Sequence, residues 1–223
     1  PAASFRDSWQ AYASGAGAVR RLVAIGLGTM AFGMQDVLLE PYGGQVLNMS
    51  VAATTTLTAG LAFGGLLGFS YASRVLGRGA DPFRMAAAGT LVGVVAFALV
   101  ILASSFDSTL MFRVGVLLVD FGGGLFGHGT LTATMNSAPR EHTGLALGAW
   151  GAVQATGAGV AVALGGVLSD VFGALAARGQ FGPALAGPNT GYVFVYGLEI
   201  AMLAATTVLM GRLMRKAGTL APA

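Results

Sequence analysis

The chain has 223 residues, 55% of them hydrophobic and only 9% charged, with a formal net charge of +3 and a mean hydropathy of +0.74. A soluble domain carries about 25% charged residues, so too few charges are present to cover a water-facing surface. The 36 glycines lie among Leu, Val, Ala and Phe without a three-residue period, which excludes collagen-like and disordered chains, and the absence of cysteine excludes disulfides and thiolate metal sites.

What remains is an all-α, polytopic membrane helix bundle. In such a chain a basic excess marks loops on the cytoplasmic side and needs no nucleic-acid partner.

The chain opens at Pro1 without an initiator methionine and is therefore expected to belong to a longer polypeptide. Residues 1–21 contain no apolar core of the kind a cleavable signal peptide needs. Phe5, Trp9 and Tyr12 follow i, i+4, i+7 spacing, which suits a linker helix lying at the membrane interface. A segment this short equally suits an unstructured tail with scattered aromatics.

Six apolar runs of bilayer-spanning length follow, at residues 22–40, 50–72, 85–105, 109–136, 142–172 and 190–212. They predict a six-helix bundle over 22–216 and a short tail over 217–223. The fifth run is long enough to tilt or to end in an interfacial turn. Arg6, Arg20, Arg21, Arg74, Arg78, Arg84, Arg140, Arg212, Arg215 and Lys216 all fall on alternate sides of these runs. Both ends of the segment are thus expected in the cytoplasm.

Small residues spaced four apart let helix backbones approach closely in lipid. Gly60, Gly64 and Gly68 in the second run, Gly89 and Gly93 in the third, and Gly144 and Gly148 in the fifth are expected to pack in this way.

Ionisable side chains at span depth are costly and need partners or water. Asp36 and Glu40 are i, i+4 at the outer end of the first run, and Arg113 and Asp120 are two turns apart in the fourth. They predict an outward-side polar cluster, either an ion-pair lock between helices or a proton or substrate site. Glu199, in the sixth run, is expected to pair with Arg113 or to face a bound polypeptide. Pro41 is expected to end the first span, with Tyr42 as an interfacial aromatic anchor and Gly43-Gly44 as a reversal.

His128 lies in a glycine-rich stretch, Gly122 to Met135. Space around its ring suits an axial ligand to a tetrapyrrole magnesium, or simply a hydrogen bond to a neighbouring helix or water. Trp150, about two turns into the fifth run, reads as core filling or as a flat wall for a porphyrin. No phosphate-binding loop, GxSxG elbow or zinc motif is present, so the chain is not read as an enzyme.

Six spans entered from the cytoplasm resemble the C-terminal half of a major facilitator fold. The stretch from Gly68 to Arg78 is similar to that superfamily's loop signature, with Ala72 and Ser73 where its acidic residue is expected. More specifically, Gln35-Asp36-Val37-Leu38-Leu39-Glu40-Pro41-Tyr42-Gly43-Gly44 resembles the signature of the PucC family. So do Gly124 to Met135 and Gly148-Ala-Trp150-Gly-Ala-Val-Gln154-Ala155.

That resemblance covers residues 20–216 and implies the second half of a family member. It implies assembly of light-harvesting antennae in phototrophic bacteria, with bacteriochlorophyll as cargo or bound pigment. Implied partners are antenna polypeptides and the reaction-centre core complex. Asp36, Glu40, Pro41 and Tyr42 become functional candidates, with Trp150 and Gln154 beside them. The alternatives from the residues themselves are a proton-coupled transporter of a small solute, resting on Asp36, Asp120 and Glu199, and a permanent subunit of a photosynthetic complex.

Overall fold

The computed structural model describes residues 5–15 and 17–219, with the side chains of residues 5, 8 and 215–219 left aside. All regular structure among the described residues is helical. Helix α1 (Phe5–Ser14) precedes α2 (Ala18–Gly33), a 3-10 turn (Met34–Val37) and the short α3 (Leu39–Gln45). Then come α4 (Val51–Leu76), α5 (Pro82–Ser105), α6 (Thr109–Ser137), α7 (Thr143–Ala177) and α8 (Thr190–Thr219). Five of these are long and apolar enough to cross a membrane, and α2 with its 3-10 extension makes a sixth span with α3, bent by 40°. The protein is a polytopic helical membrane bundle; the end of the predicted tail, residues 220–223, lies outside the described residues.

Local chemistry sets the helix starts. Ser50 caps α4 through its hydroxyl, which accepts from the Ala53 N–H at 3.2 Å, and Ser108 caps α6 by accepting from Met111 at 3.2 Å. Asp81 accepts from the Phe83 N–H at 2.8 Å, with Pro82 in the first turn of α5, where its missing N–H costs no helical bond. Between α4 and α5 the chain turns through Gly79 at φ 89°, a left-handed conformation that glycine adopts without strain. The segment resembling a loop signature is mostly helix. Gly68 and Ala72 lie buried on α4, and only the residues after Leu76 form the connection.

Helix α6 runs between α4 and α5, α5 packs on α8, and α2 packs on both α7 and α8. Glycine permits the two closest seams. A Cβ at Gly64 would land on the Leu117 carbonyl oxygen, and one at Gly68 on that of Phe121. On the other side of α6, Cβ atoms at Gly89 and Gly122 would each come within 2.7 Å of the facing backbone.

The expected glycine packing needs correction elsewhere. Gly60, Gly144 and Gly148 have no facing atom within 4 Å. The close approaches of α7 are instead made by Gly165, over the Met34 carbonyl, and at Ser169, whose carbonyl meets Gly191 of α8. Helix α7 is one unbroken element of 35 residues, so of the two alternatives for the fifth run, tilting or ending in an interfacial turn, the turn does not form. At 1.5 Å per residue it is about 52 Å long, well beyond a hydrocarbon core of about 30 Å.

Candidate functional site

The first span does not run straight to Pro41. It leaves α-helical geometry at Met34, passes through one 3-10 turn and resumes as α3 at Leu39. Pro41 therefore sits in the first turn of a new helix, where it is tolerated, rather than ending the old one. Gly43 and Gly44 are helical too, and Gly43 packs against Phe112, Met49 and Thr54 instead of making a reversal.

This rerouting moves Tyr42 from the expected interface into the centre of the bundle. Its side chain is fully buried, packed on Phe112, Tyr192 and Tyr196 with ring centroids 5.4–5.5 Å apart. Its hydroxyl donates to the Val100 carbonyl at 3.3 Å. Tyr192 in turn donates to Gln45 Oε1 at 2.8 Å, so the middle and the C-terminal end of α3 are tied to the bundle.

The break exposes one backbone donor. In a continuous helix the Gln35 N–H would donate to the Ala31 carbonyl; here it donates to Glu199 Oε1 of α8 at 2.8 Å. Glu199 is completely buried. This corrects both expectations for it, pairing with Arg113 and facing a bound polypeptide. Gln35 Nε2 donates to the Phe32 carbonyl at 3.2 Å and to Asp36 Oδ1. Asp36 itself is exposed, and its charge acts on both Asp120 of α6 and Glu199. Asp36, Asp120 and Glu199, from three elements, thus converge on the broken turn.

The rest of the predicted cluster lies apart. Glu40 is exposed and accepts from the Thr58 hydroxyl of α4 at 2.8 Å. Arg113 lies on the exposed face of α6 and makes no ion pair among the described residues, where Arg84 and Asp81 meet at 4.0 Å. Seven-residue spacing does put Arg113 and Asp120 on one side of α6, but it cannot set which turn meets the break. No lock between helices forms around Arg113.

His128 is half-buried with its ring edge-on to Phe69, centroids 5.7 Å apart. The flanking glycines serve packing: a Cβ at Gly129 would come within 2.8 Å of the α5 backbone, and one at Gly127 lies 3.8 Å from the Phe69 ring. Trp150 Nε1 donates to the Thr130 hydroxyl at 3.2 Å, joining α7 to α6. Gln154, one turn on, accepts from the Thr29 hydroxyl of α2. Among the described residues no group of three or more His, Asp or Glu is placed to hold a metal ion.

Beside Gln154 a groove of about 360 Å³ opens between α2 and α7, lined by Gly26, Met30, Ala152, Val153, Thr156 and Val160 among others. Of its lining side chains Thr156 alone carries an oxygen. The sequence did not single it out, although Gly26, Ala152 and Thr156 are small residues that bare the backbone along both helices.

The family model described as "PUCC protein" matches residues 1–218. The chain belongs to the PucC family. It is 52% identical over 213 residues to Protein PucC of Cereibacter sphaeroides, covering 96% of this chain and 45% of that protein. Identity to Protein PucC of Rhodovulum sulfidophilum is 58% over 170 residues, 76% of this chain and 37% of that one. A Rhodobacter capsulatus protein named for the puhA-bchM intergenic region is 48% identical over 222 residues, the whole of this chain and 46% of its own length. The chain thus spans about half the length of these relatives. No solved structure matches it significantly.

Proposed function

We propose that this PucC-family chain is part of a membrane-embedded assembly factor for light-harvesting antennae, handling bacteriochlorophyll and newly inserted antenna polypeptides. It would reside in the bacterial inner membrane with both ends of this segment in the cytoplasm, where the alternation of basic residues directs them. The fold fits half of a two-part, transporter-like protein of major facilitator type. Antenna polypeptides are the primary partners, with the reaction-centre core complex as their destination.

The observation that carries this reading is the apolar groove between α2 and α7. It falls in the size range of small-molecule sites, and Ala152 and Val153, two of its walls, belong to the Gly148–Ala155 family stretch. A carbon-lined groove opening sideways suits a pigment's hydrocarbon surface or one apolar helix, whereas a solute dissolved in water would need polar contacts. Its lining holds no imidazole, so magnesium ligation by the protein would fall to His128, on a different face of the bundle. The convergence of Asp36, Asp120 and Glu199 on a broken span favours one second reading, a proton-coupled transporter, since discontinuous helices with carboxylates recur in transporter sites.

The deciding experiment is purification of the whole polypeptide that carries this chain from a phototrophic membrane. Bacteriochlorophyll and antenna polypeptides are expected to co-purify below stoichiometry, and Ala152→Trp, which fills the groove, is expected to reduce the pigment without lowering protein abundance. Stoichiometric, permanent association would indicate a structural subunit. Colourless protein that drives solute uptake in vesicles would establish the transporter. His128→Leu with pigment content intact would exclude ligation at that residue.

A further inference from the structure

At the broken turn the count of hydrogen-bond donors and acceptors does not close. Glu199 Oε1 is satisfied by the Gln35 N–H, but Glu199 Oε2, Gln35 Oε1 and the Tyr196 hydroxyl are all buried without a partner. Glu199, Gln35 and Tyr196 are each at most 1% exposed. A carboxylate oxygen and an amide oxygen can only accept, and leaving such groups unpaired in an apolar interior is costly.

The surroundings bring no positive charge to offset a carboxylate. The 3-10 turn contributes Asp36, α3 contributes Tyr42, α6 contributes Asp120, and α8 itself contributes Tyr196. The titratable residues of α5 and α2 are confined to Arg84, Arg20 and Arg21 in their first turns, and that of α7 is Asp170, which acts on Tyr192. No basic residue pairs with Glu199 among the described residues, since Arg113 of α6 lies exposed and without an ion pair. Isolated ionised groups are not held in such places; a proton is the smallest ligand that changes Glu199 from a pure acceptor into a donor.

We propose that Glu199 is a proton-binding site, held as a neutral carboxylic acid whose Oε2–H supplies the missing donor at the break in the first span. The carbonyl oxygen, Oε1, keeps the Gln35 N–H, and the hydroxyl gives the buried Oε2 a donor for an acceptor at the break such as Gln35 Oε1, which has no partner of its own. Asp36 lies on the other side of Gln35, bonded to its side-chain amide and exposed at the protein surface. The broken turn, clamped between Gly165 of α7 and Glu199 of α8, thereby becomes a junction whose closure depends on one proton.

The test uses infrared spectroscopy on the whole polypeptide reconstituted in lipid at neutral pH, comparing wild type with Glu199→Gln. A glutamine amide supplies a neutral carbonyl and a donor at the same place, so this variant is expected to accumulate and melt like wild type. The wild-type-minus-variant difference is expected to show loss of one carboxylic-acid carbonyl band, whereas Asp36→Asn leaves that band in place. Loss of carboxylate bands in its stead would overturn the proposal, as a bound water or cation beside an ionised Glu199 would then fill the gap. Failure of Glu199→Gln to fold would overturn it equally, because a neutral side chain with a donor is what the site is proposed to hold.

Discussion

The indole N–H of Trp150 reaches from α7 to the Thr130 hydroxyl of α6 at 3.2 Å, and Thr130 passes its own proton to the Gly127 carbonyl at 3.1 Å. Few other contacts join these two helices, so this bond marks the seam. Hydrogen bonds between membrane helices contribute about 0.6 kcal/mol on average. Trp150→Phe is expected to lose about that much, and Thr130→Val made in addition should lose little more. A double-mutant cycle on thermal unfolding in detergent measures it, and additive losses would show that the two groups are uncoupled.

Glycines that look alike in the sequence should behave in opposite ways. Gly68 of α4 lies against the Phe121 carbonyl, whereas Gly148 of α7 faces open space. Gly68→Val forces α4 and α6 apart and is expected to cost about 1–3 kcal/mol or more, the usual range for overpacking. Gly148→Ala is expected to raise stability slightly, since alanine is the better helix former by roughly 0.5–1 kcal/mol. Melting temperatures of the two purified variants check both directions.

Tyr42 separates ring from hydroxyl. Tyr42→Phe keeps the buried ring against Phe112, Tyr192 and Tyr196 and loses the hydroxyl's bonds to the Val100 carbonyl and Ser104, so the expected cost is about 1 kcal/mol, at about 0.6 kcal/mol per bond. Tyr42→Ala opens a cavity among these rings and is expected to cost about 3–5 kcal/mol, the range for large aromatic truncations. Comparable losses for both variants would mean that the hydroxyl, not the packing, holds α3 in place.

Arg113→Gln is expected to leave both melting temperature and protein abundance unchanged. The side chain lies on an exposed face without an ion-pair partner among the described residues. A large drop in either measurement would point to a lock that forms only in the membrane.

The six helical segments were legible because an apolar run of bilayer length admits little else. The break at Met34–Val37 was not. The donor it frees is taken up 164 positions away by Glu199, and the one local signal, Pro41, stands four residues past the end of the break at Val37. That single displacement explains why Tyr42 was read as an interfacial anchor. Asp36, Asp120 and Glu199 were legible as costly charges, but helical periodicity says only which residues share a side of one helix. Which side meets which is decided by packing, and so Arg113 was drawn into a cluster it does not join. The glycine spacing failed for the same reason at Gly60, Gly144 and Gly148: close contact takes two surfaces, and a spacing describes one.

The surplus length of α7 has a practical consequence. Some 20 Å of its roughly 52 Å exceeds hydrocarbon of ordinary thickness; tilt takes up part of it, and the remainder carries at least one end past the hydrocarbon as a rigid extension of the groove wall. A helical fusion partner spliced in register onto that extension would turn with the bundle, offering electron microscopy a fiducial for a membrane protein otherwise lost in its micelle.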